Sequence, residues 1–211
     1  MPLRTSVLVL LAAAAGAVAA EDYDLDAPIA TEASTSGGQA WELRLGVGYA
    51  PGAKQVGGSS GTTGGASQFL PGAFYLSDKG EASGYGYIAG ASLTYRNSES
   101  KFTGSTFSYR STGVRFVVGP TYRNGDFRLE LAPFLGIHQA DAKFGSAPTS
   151  YSGSGYEYGI NLNATYQVDP AVMLGGYLGL EGFRSSVNGG SEKFTISGSG
   201  LTAGVLLGVR L

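Results

Sequence analysis

Between Leu201 and Leu211 the chain alternates without a fault. Leu201, Ala203, Val205, Leu207, Val209 and Leu211 form one row, and Thr202, Gly204, Leu206, Gly208 and Arg210 form the other. A period of two puts successive side chains on opposite faces of a β-strand, so this segment lies between two different surroundings, one of them wholly apolar. A soluble sandwich strand and a strand of a membrane barrel both read this way, and the choice rests on what the rest of the chain repeats. At about 3.4 Å per residue the segment extends roughly 37 Å. Tilted by about 40°, that length covers the apolar band, about 25 Å tall, of a membrane barrel.

Composition narrows the field. With 35 glycines, 13 tyrosines and only 14% charged residues, the chain is turn-rich, aromatic and suited to strands. It has no cysteine, which excludes a disulfide framework, thiolate metal sites and thiol catalysis. The formal net charge of -2 offers no basic surface for nucleic acid. The mean hydropathy of +0.03 is low for a helical membrane protein, but alternating strands dilute hydropathy and leave a barrel open.

Residues 1–20 read as an address. Arg4 precedes an apolar run from Val7 to Ala15, and Ala17-Val18-Ala19-Ala20 supplies small residues for a signal peptidase. Residues 21–38 carry Glu21, Asp22, Asp24, Asp26 and Glu32 with almost nothing to bury, and read as a flexible acidic lead. The expected folded domain is 39–211.

Alternation then recurs along that domain. The first strand, Ala40 to Ala50, sets Trp41, Leu43, Leu45, Val47 and Tyr49 against Glu42, Arg44, Gly46 and Gly48. After a Gly/Ser/Thr-rich loop to Gly65, a second strand from Ser67 to Leu76 has two competing rows, Phe69, Ala73 and Tyr75 against Leu70, Phe74 and Leu76. The third, Gly84 to Arg96, is cleaner, with Tyr85, Tyr87, Ala89, Ala91, Leu93 and Tyr95 on one side, and a polar loop is expected over 97–109. The fourth, Ser111 to Arg123, reaches Asn124-Gly125, a favoured two-residue hairpin turn. The fifth returns from Phe127 through His138. Pro120 and Pro133 oppose an unbroken ladder there, and a bulge or a locally broken ladder is expected at Pro133. The sixth sets Tyr156, Tyr158, Ile160, Leu162, Ala164 and Tyr166 outward, and the seventh Val172, Leu174, Leu178 and Leu180.

Two patterns favour a membrane barrel. Longer loops, expected at 51–65, 97–109, 140–152 and 185–197, alternate with short turns near 77–83, 124–125 and 169–170, as when one end faces the periplasm. The outward aromatics also sort by height. Trp41, Tyr85, Tyr87, Tyr122, Phe127 and Tyr166 fall toward the short-turn end, and Tyr49, Tyr95, Tyr156 and Tyr158 toward the long-loop end, as two girdles with aliphatics between them.

The inward row holds the ionisable groups. Strand direction puts Glu42, Arg44, Arg128, Glu130 and Arg210 near the short-turn end and Arg96, Arg115, His138, Glu157 and Glu181 near the other. Mixed signs suit buried charge, and eight strands leave room only for side chains, so a salt-bridged plug is expected rather than a gate or proton path. His138 is the sole histidine. One histidine without matched carboxylates makes a poor metal site.

On the signal-like leader, the strand pattern and the closing strand, residues 39–211 resemble the small eight-stranded outer-membrane barrels: the opacity-protein family, OmpX and the OmpA transmembrane domain. That resemblance implies an all-β, antiparallel, up-and-down transmembrane barrel in a Gram-negative-type cell outer membrane after Sec-dependent export. It implies contact with outer-membrane lipid and lipopolysaccharide, and recognition of the closing strand by the barrel-assembly machinery. The family commonly ends in Phe, where this chain has Leu211. The expected function is non-enzymatic, structural or surface-binding through four extracellular loops, of the adhesion or host-contact type. The partner is an unknown surface ligand, the protein is a monomer, and no cofactor or nucleic acid is involved. The alternative is a transporter of small or hydrophobic solutes, similar to OmpW-like barrels. A minor alternative resembles the lipid A-modifying barrel enzymes, but their His-x-Ser pattern is replaced here by His138-Gln139-Ala140.

Overall fold

Every long element is a strand, and each pairs antiparallel with its neighbours in sequence. The computed structural model describes residues 39–61, 64–77, 83–102, 105–145, 150–189 and 192–211. The expected leader at 1–20 and acidic segment at 21–38 lie outside the described residues, as does most of the turn expected at 77–83. The strands are β1 Gln39–Pro51, β2 Gln55–Val56, β3 Ser59–Ser60, β4 Gly65–Ser77, β5 Ser83–Phe102, β6 Ser105–Asn124, β7 Phe127–Phe144, β8 Ser150–Gln167, β9 Val172–Gly189 and β10 Glu192–Arg210. The eight long ones run in sequence order, and β1 pairs with β10 from Glu42↔Arg210 to Tyr49↔Ala203, so the sheet closes on itself. The fold is an eight-stranded antiparallel up-and-down barrel.

Closure removes the sheet edges and satisfies the backbone between strands, the condition for standing in lipid. The outer surface meets the second condition. Val118, Leu131, Leu135, Leu162, Leu178, Leu180, Val205 and Leu207 are all exposed on it. Trp41, Tyr85, Tyr87, Phe127 and Tyr166 are exposed near the short-turn end, and Tyr49, Tyr95, Tyr156 and Tyr158 toward the other. The second strand's phase is resolved: Ala66, Gln68, Phe74 and Leu76 are buried inside, and Phe69 is exposed outside. Tyr75 thereby joins the lower girdle, 5.7 Å from the Trp41 ring and 5.8 Å from that of Tyr87.

The expected loops at 97–109, 140–152 and 185–197 are corrected. β5 and β6 stay paired to Phe102↔Ser105, β7 and β8 to Lys143↔Ser150, and β9 and β10 to Glu192↔Gly189. The expected loop at 51–65 also carries structure, because β2 pairs with β3 and with Ile196 and Ser197 of β10. These segments looked like loops because their apolar row changes sides. Beyond the outer girdle Asn97, Glu99 and Lys101 face out while Phe102 is buried. The strand has passed from lipid into water, where the ordinary polar-out pattern returns.

The interior of this upper section is an apolar cluster of Val56, Phe102, Phe107, Tyr109, Tyr151, Phe183, Val187 and Ile196, flanked by Phe144 and Phe194. A smaller correction concerns a turn, whereas of the two outcomes expected at Pro133 the broken ladder is the one found. The hairpin after β6 turns on Gly125 and Asp126, one residue later than expected, with Gly125 at φ 59 and Asn124 still paired to Phe127. At Pro133 there is a broken ladder and no bulge: pairing stops at Val117↔Phe134 and resumes at Thr121↔Glu130 in the same register.

Candidate functional site

Among the described residues, buried polar chemistry collects in the lumen, and it is layered. Nearest the short-turn end, β1 and β7 bring Glu42, Arg44, Arg128 and Glu130 together. Arg44 grips Glu130 with two guanidinium bonds of 2.6 Å and donates to Glu42 at 2.8 Å. Arg128 donates to Glu42 at 2.8 and 2.9 Å, and Arg210 reaches the same carboxylate at 3.5 Å. Asn163 adds a bond to Glu130 at 2.9 Å. All but Arg210 of the charged members are buried, so the pairs are desolvated and mutually dependent.

A second network stands above it. Arg115 donates to Glu157 through Nε and Nη2, both at 3.2 Å, and lies 3.2 Å from Glu181. Arg96 pairs with Glu181 and, at 3.3 Å, with Glu157. Gln68 caps Glu181 with its amide at 3.2 Å. Inward rings cover the guanidinium faces: Phe74 on Arg44 at 5.0 Å, Phe134 on Arg115 at 4.0 Å and Phe183 on Arg96 at 4.5 Å. Between the networks lies a cavity of about 50 Å³.

Above the second network, His138 Nε2 is 2.7 Å from Ser185 Oγ and 3.2 Å from the Tyr109 hydroxyl, and the two hydroxyls are 2.8 Å apart. Ser185 and Tyr109 escape the sequence pattern because both lie in segments whose alternation reads as loop. Gln68 escaped for a related reason, since its strand's phase was undecided. The serine absent from a His-x-Ser pattern is thus supplied by another strand. A hydroxyl beside an imidazole is the start of a nucleophile–base pair. Here Nδ1 of His138 is buried with no hydrogen-bond partner to orient the ring, and Ser185 is completely buried beneath the aromatic cluster. The trio lies between the charged layer and the apolar one, and its hydroxyls and imidazole are bonded to one another.

Edge-on and tilted rings close the upper end: Phe102 against Phe107 at 5.4 Å, Phe107 against Phe144 at 4.9 Å and Tyr151 against Phe194 at 4.8 Å. Tyr151 also donates to Glu192 at 2.6 Å, and that bond, with the nearby negative charge, raises its phenol above the ordinary tyrosine value. Among the described residues no cluster of three or more His, Asp or Glu side chains is placed to hold a metal ion.

A closed ring of eight strands, an apolar belt between aromatic girdles and a side-chain-filled lumen define the class: a transmembrane β-barrel. No protein-family model matches the chain, and no curated protein matches it. Among solved structures it is similar to the outer membrane protein OprG from Pseudomonas aeruginosa, with 10% identity over 83% of this chain and 96% of that one, at a TM-score of 0.41. It is similar to Neisserial surface protein A, NspA, with 18% identity over 80% of this chain and 97% of that one, at 0.42. It is also similar to the outer membrane protease OmpT from Escherichia coli, with 13% identity over 83% and 94%, at 0.44. The barrel itself is defined by this chain's own closed strand pairing.

Proposed function

We propose that this chain is a non-enzymatic barrel of the bacterial outer membrane, exported by the Sec route. In this reading it is inserted by the barrel-assembly machinery and holds a rigid, water-exposed β-rim above the lipid for adhesion or envelope contact. One observation carries the reading: two buried ion networks, Glu42/Arg44/Arg128/Glu130 and Arg96/Arg115/Glu157/Glu181, cross the lumen in succession. A conducting pore needs a continuous wet path, and each network replaces water with carboxylate–guanidinium bonds between opposite walls. The work is thereby assigned to the outside. Glu99, Lys101, Arg110, Asp141, Lys143 and Lys193 lie around the exposed upper strands, interleaved with serines and threonines, where a polar surface ligand would bind. Outer-membrane lipid and lipopolysaccharide surround the belt below.

Planar-bilayer recording tests the closed lumen. Purified protein should give no sustained single-channel steps at physiological salt, whereas regular steps from the folded, heat-modifiable form would overturn the reading. A Ser185→Ala variant should leave lipid A composition unchanged, and an altered lipid A would return the serine–histidine pair to an enzymatic role.

A further inference from the structure

The cavity between the ion networks meets each of them through an arginine. Arg44 of the lower network and Arg115 of the upper one both line it, and among the described residues no aspartate or glutamate belongs to its wall. Glu42 and Glu130 hold Arg44, and Glu157 and Glu181 hold Arg115, from outside that wall. Each network therefore presents its positive side to the cavity. Phe74 and Phe134 line it too, but their electron-rich faces are already given to the same two guanidiniums. The other polar side chains of the wall, Ser92, Asn161, Asn163 and Tyr177, each carry a hydrogen-bond donor.

One donor of that wall is left over. Arg115 gives Nε and Nη2 to Glu157, and Nη2 also faces Glu181, but Nη1 is buried with no hydrogen-bond partner. Arg115 is only 2% exposed, and an unsatisfied charged donor at that depth costs more than an ordinary lost hydrogen bond. Asn161 has the opposite lack, since its buried Oδ1 meets no donor. Turning that amide over exchanges Oδ1 for Nδ2, so it too becomes a donor at the wall. Water alone would satisfy Nη1 but would leave two like charges on one poorly screened space. An anion satisfies the donor and offsets both charges. Both arginines are already paired, so the remaining field suits one negative charge rather than two. A water-sized group needs about 10–15 Å³, so a cavity of about 50 Å³ holds a halide ion with a little water but no sugar phosphate. We propose that the cavity is a site for one monovalent inorganic anion of halide size, with Arg115 Nη1 as its direct ligand and Arg44 as a second positive wall. The anion is enclosed as the barrel folds, because the two networks close the lumen on either side.

The test refolds the full barrel with bromide as probe, so that the ion is present while the lumen closes. Crystals grown in sodium bromide should show an anomalous bromide peak within hydrogen-bond reach of Arg115 Nη1. A map with water only in the cavity would overturn the site. In solution, samples refolded in mixtures of sodium bromide and sodium gluconate at fixed ionic strength are read by nitrogen-15 NMR of the Arg115 guanidinium. The bromide-dependent signal should saturate, and gluconate, which is too large to enter, should give none. A change that follows ionic strength alone, with gluconate as effective as bromide, would also overturn the proposal. Ala132 lines the cavity, and Ala132→Leu fills it without touching a charge. That variant should keep its heat-modifiable mobility and lose both the peak and the saturable signal. A folded variant that keeps the signal would place the anion elsewhere and sink the assignment. If the variant does not fold, the wild-type anomalous map decides alone. Conductance remains a separate matter for the bilayer recording, since an enclosed anion carries no current.

Discussion

Below the outer girdle the barrel wears its apolar row outside and its charges inside, and above that girdle the same strands do the reverse. On β9, Leu174, Leu178 and Leu180 face lipid while Glu181 is buried, yet a few residues on Arg184, Ser186 and Asn188 face out while Phe183 and Val187 are buried. Backbone geometry and register run unbroken through the change. What changes is the solvent. In lipid, burying apolar side chains inside the barrel gains nothing over leaving them in hydrocarbon, so the lower interior is held by ion pairs and packing. In water the hydrophobic effect is available again, and the upper interior is held by packed aromatic rings.

The comparison can be broken at its largest expected difference by Glu42→Ala. That carboxylate is shared by Arg44, Arg128 and Arg210, and removing one partner of a buried pair costs about 3–5 kcal/mol. Urea unfolding from liposomes measures it, and a loss below about 1 kcal/mol would mean that water already screens the lower network. A matched pair of outward substitutions sharpens the exterior contrast. Leu135→Arg, in the apolar belt, should cost about 2–4 kcal/mol. Ser186→Arg, equally outward but above the girdle, should stay within about 0.5 kcal/mol. Equal costs at the two positions would place the water boundary elsewhere. The smallest effect is inside the upper section, where Ile196 is fully buried. Ile196→Val should cost about 0.5–1.5 kcal/mol, read as a lower thermal midpoint of the heat-modifiable band, and no change at all would argue against a packed upper core.

Much of this was legible in the residues. Eight alternating rows, the two girdles and the inward phase of Glu42, Arg44, Arg96, Arg115, Arg128, Glu130, Glu157, Glu181 and Arg210 follow from a period of two read against an apolar outer face. The upper hairpins were not legible by that rule. Asn97, Glu99 and Lys101 alternate with Ser98, Ser100 and Phe102, a pattern with little apolar surface to mark either face, and it passes for a loop unless the water boundary is already known. The second strand failed differently: both of its rows carry apolar residues, so its phase was fixed only by its pairing with β1, Glu42 opposite Phe74.

By itself, then, the sequence determined the strand type, the strand number and the side on which charge is carried, because those depend on local alternation and on what lipid tolerates. Which charges meet is decided by tertiary structure alone. Arg44 and Glu130 stand 86 residues apart in the chain, and Gln68 and Glu181 stand 113 apart. Barrel closure and the stagger of the strands set the height of each inward side chain, and neither quantity is written in any single strand. The trio of Tyr109, His138 and Ser185 and the cavity between the networks exist only once the ring is closed.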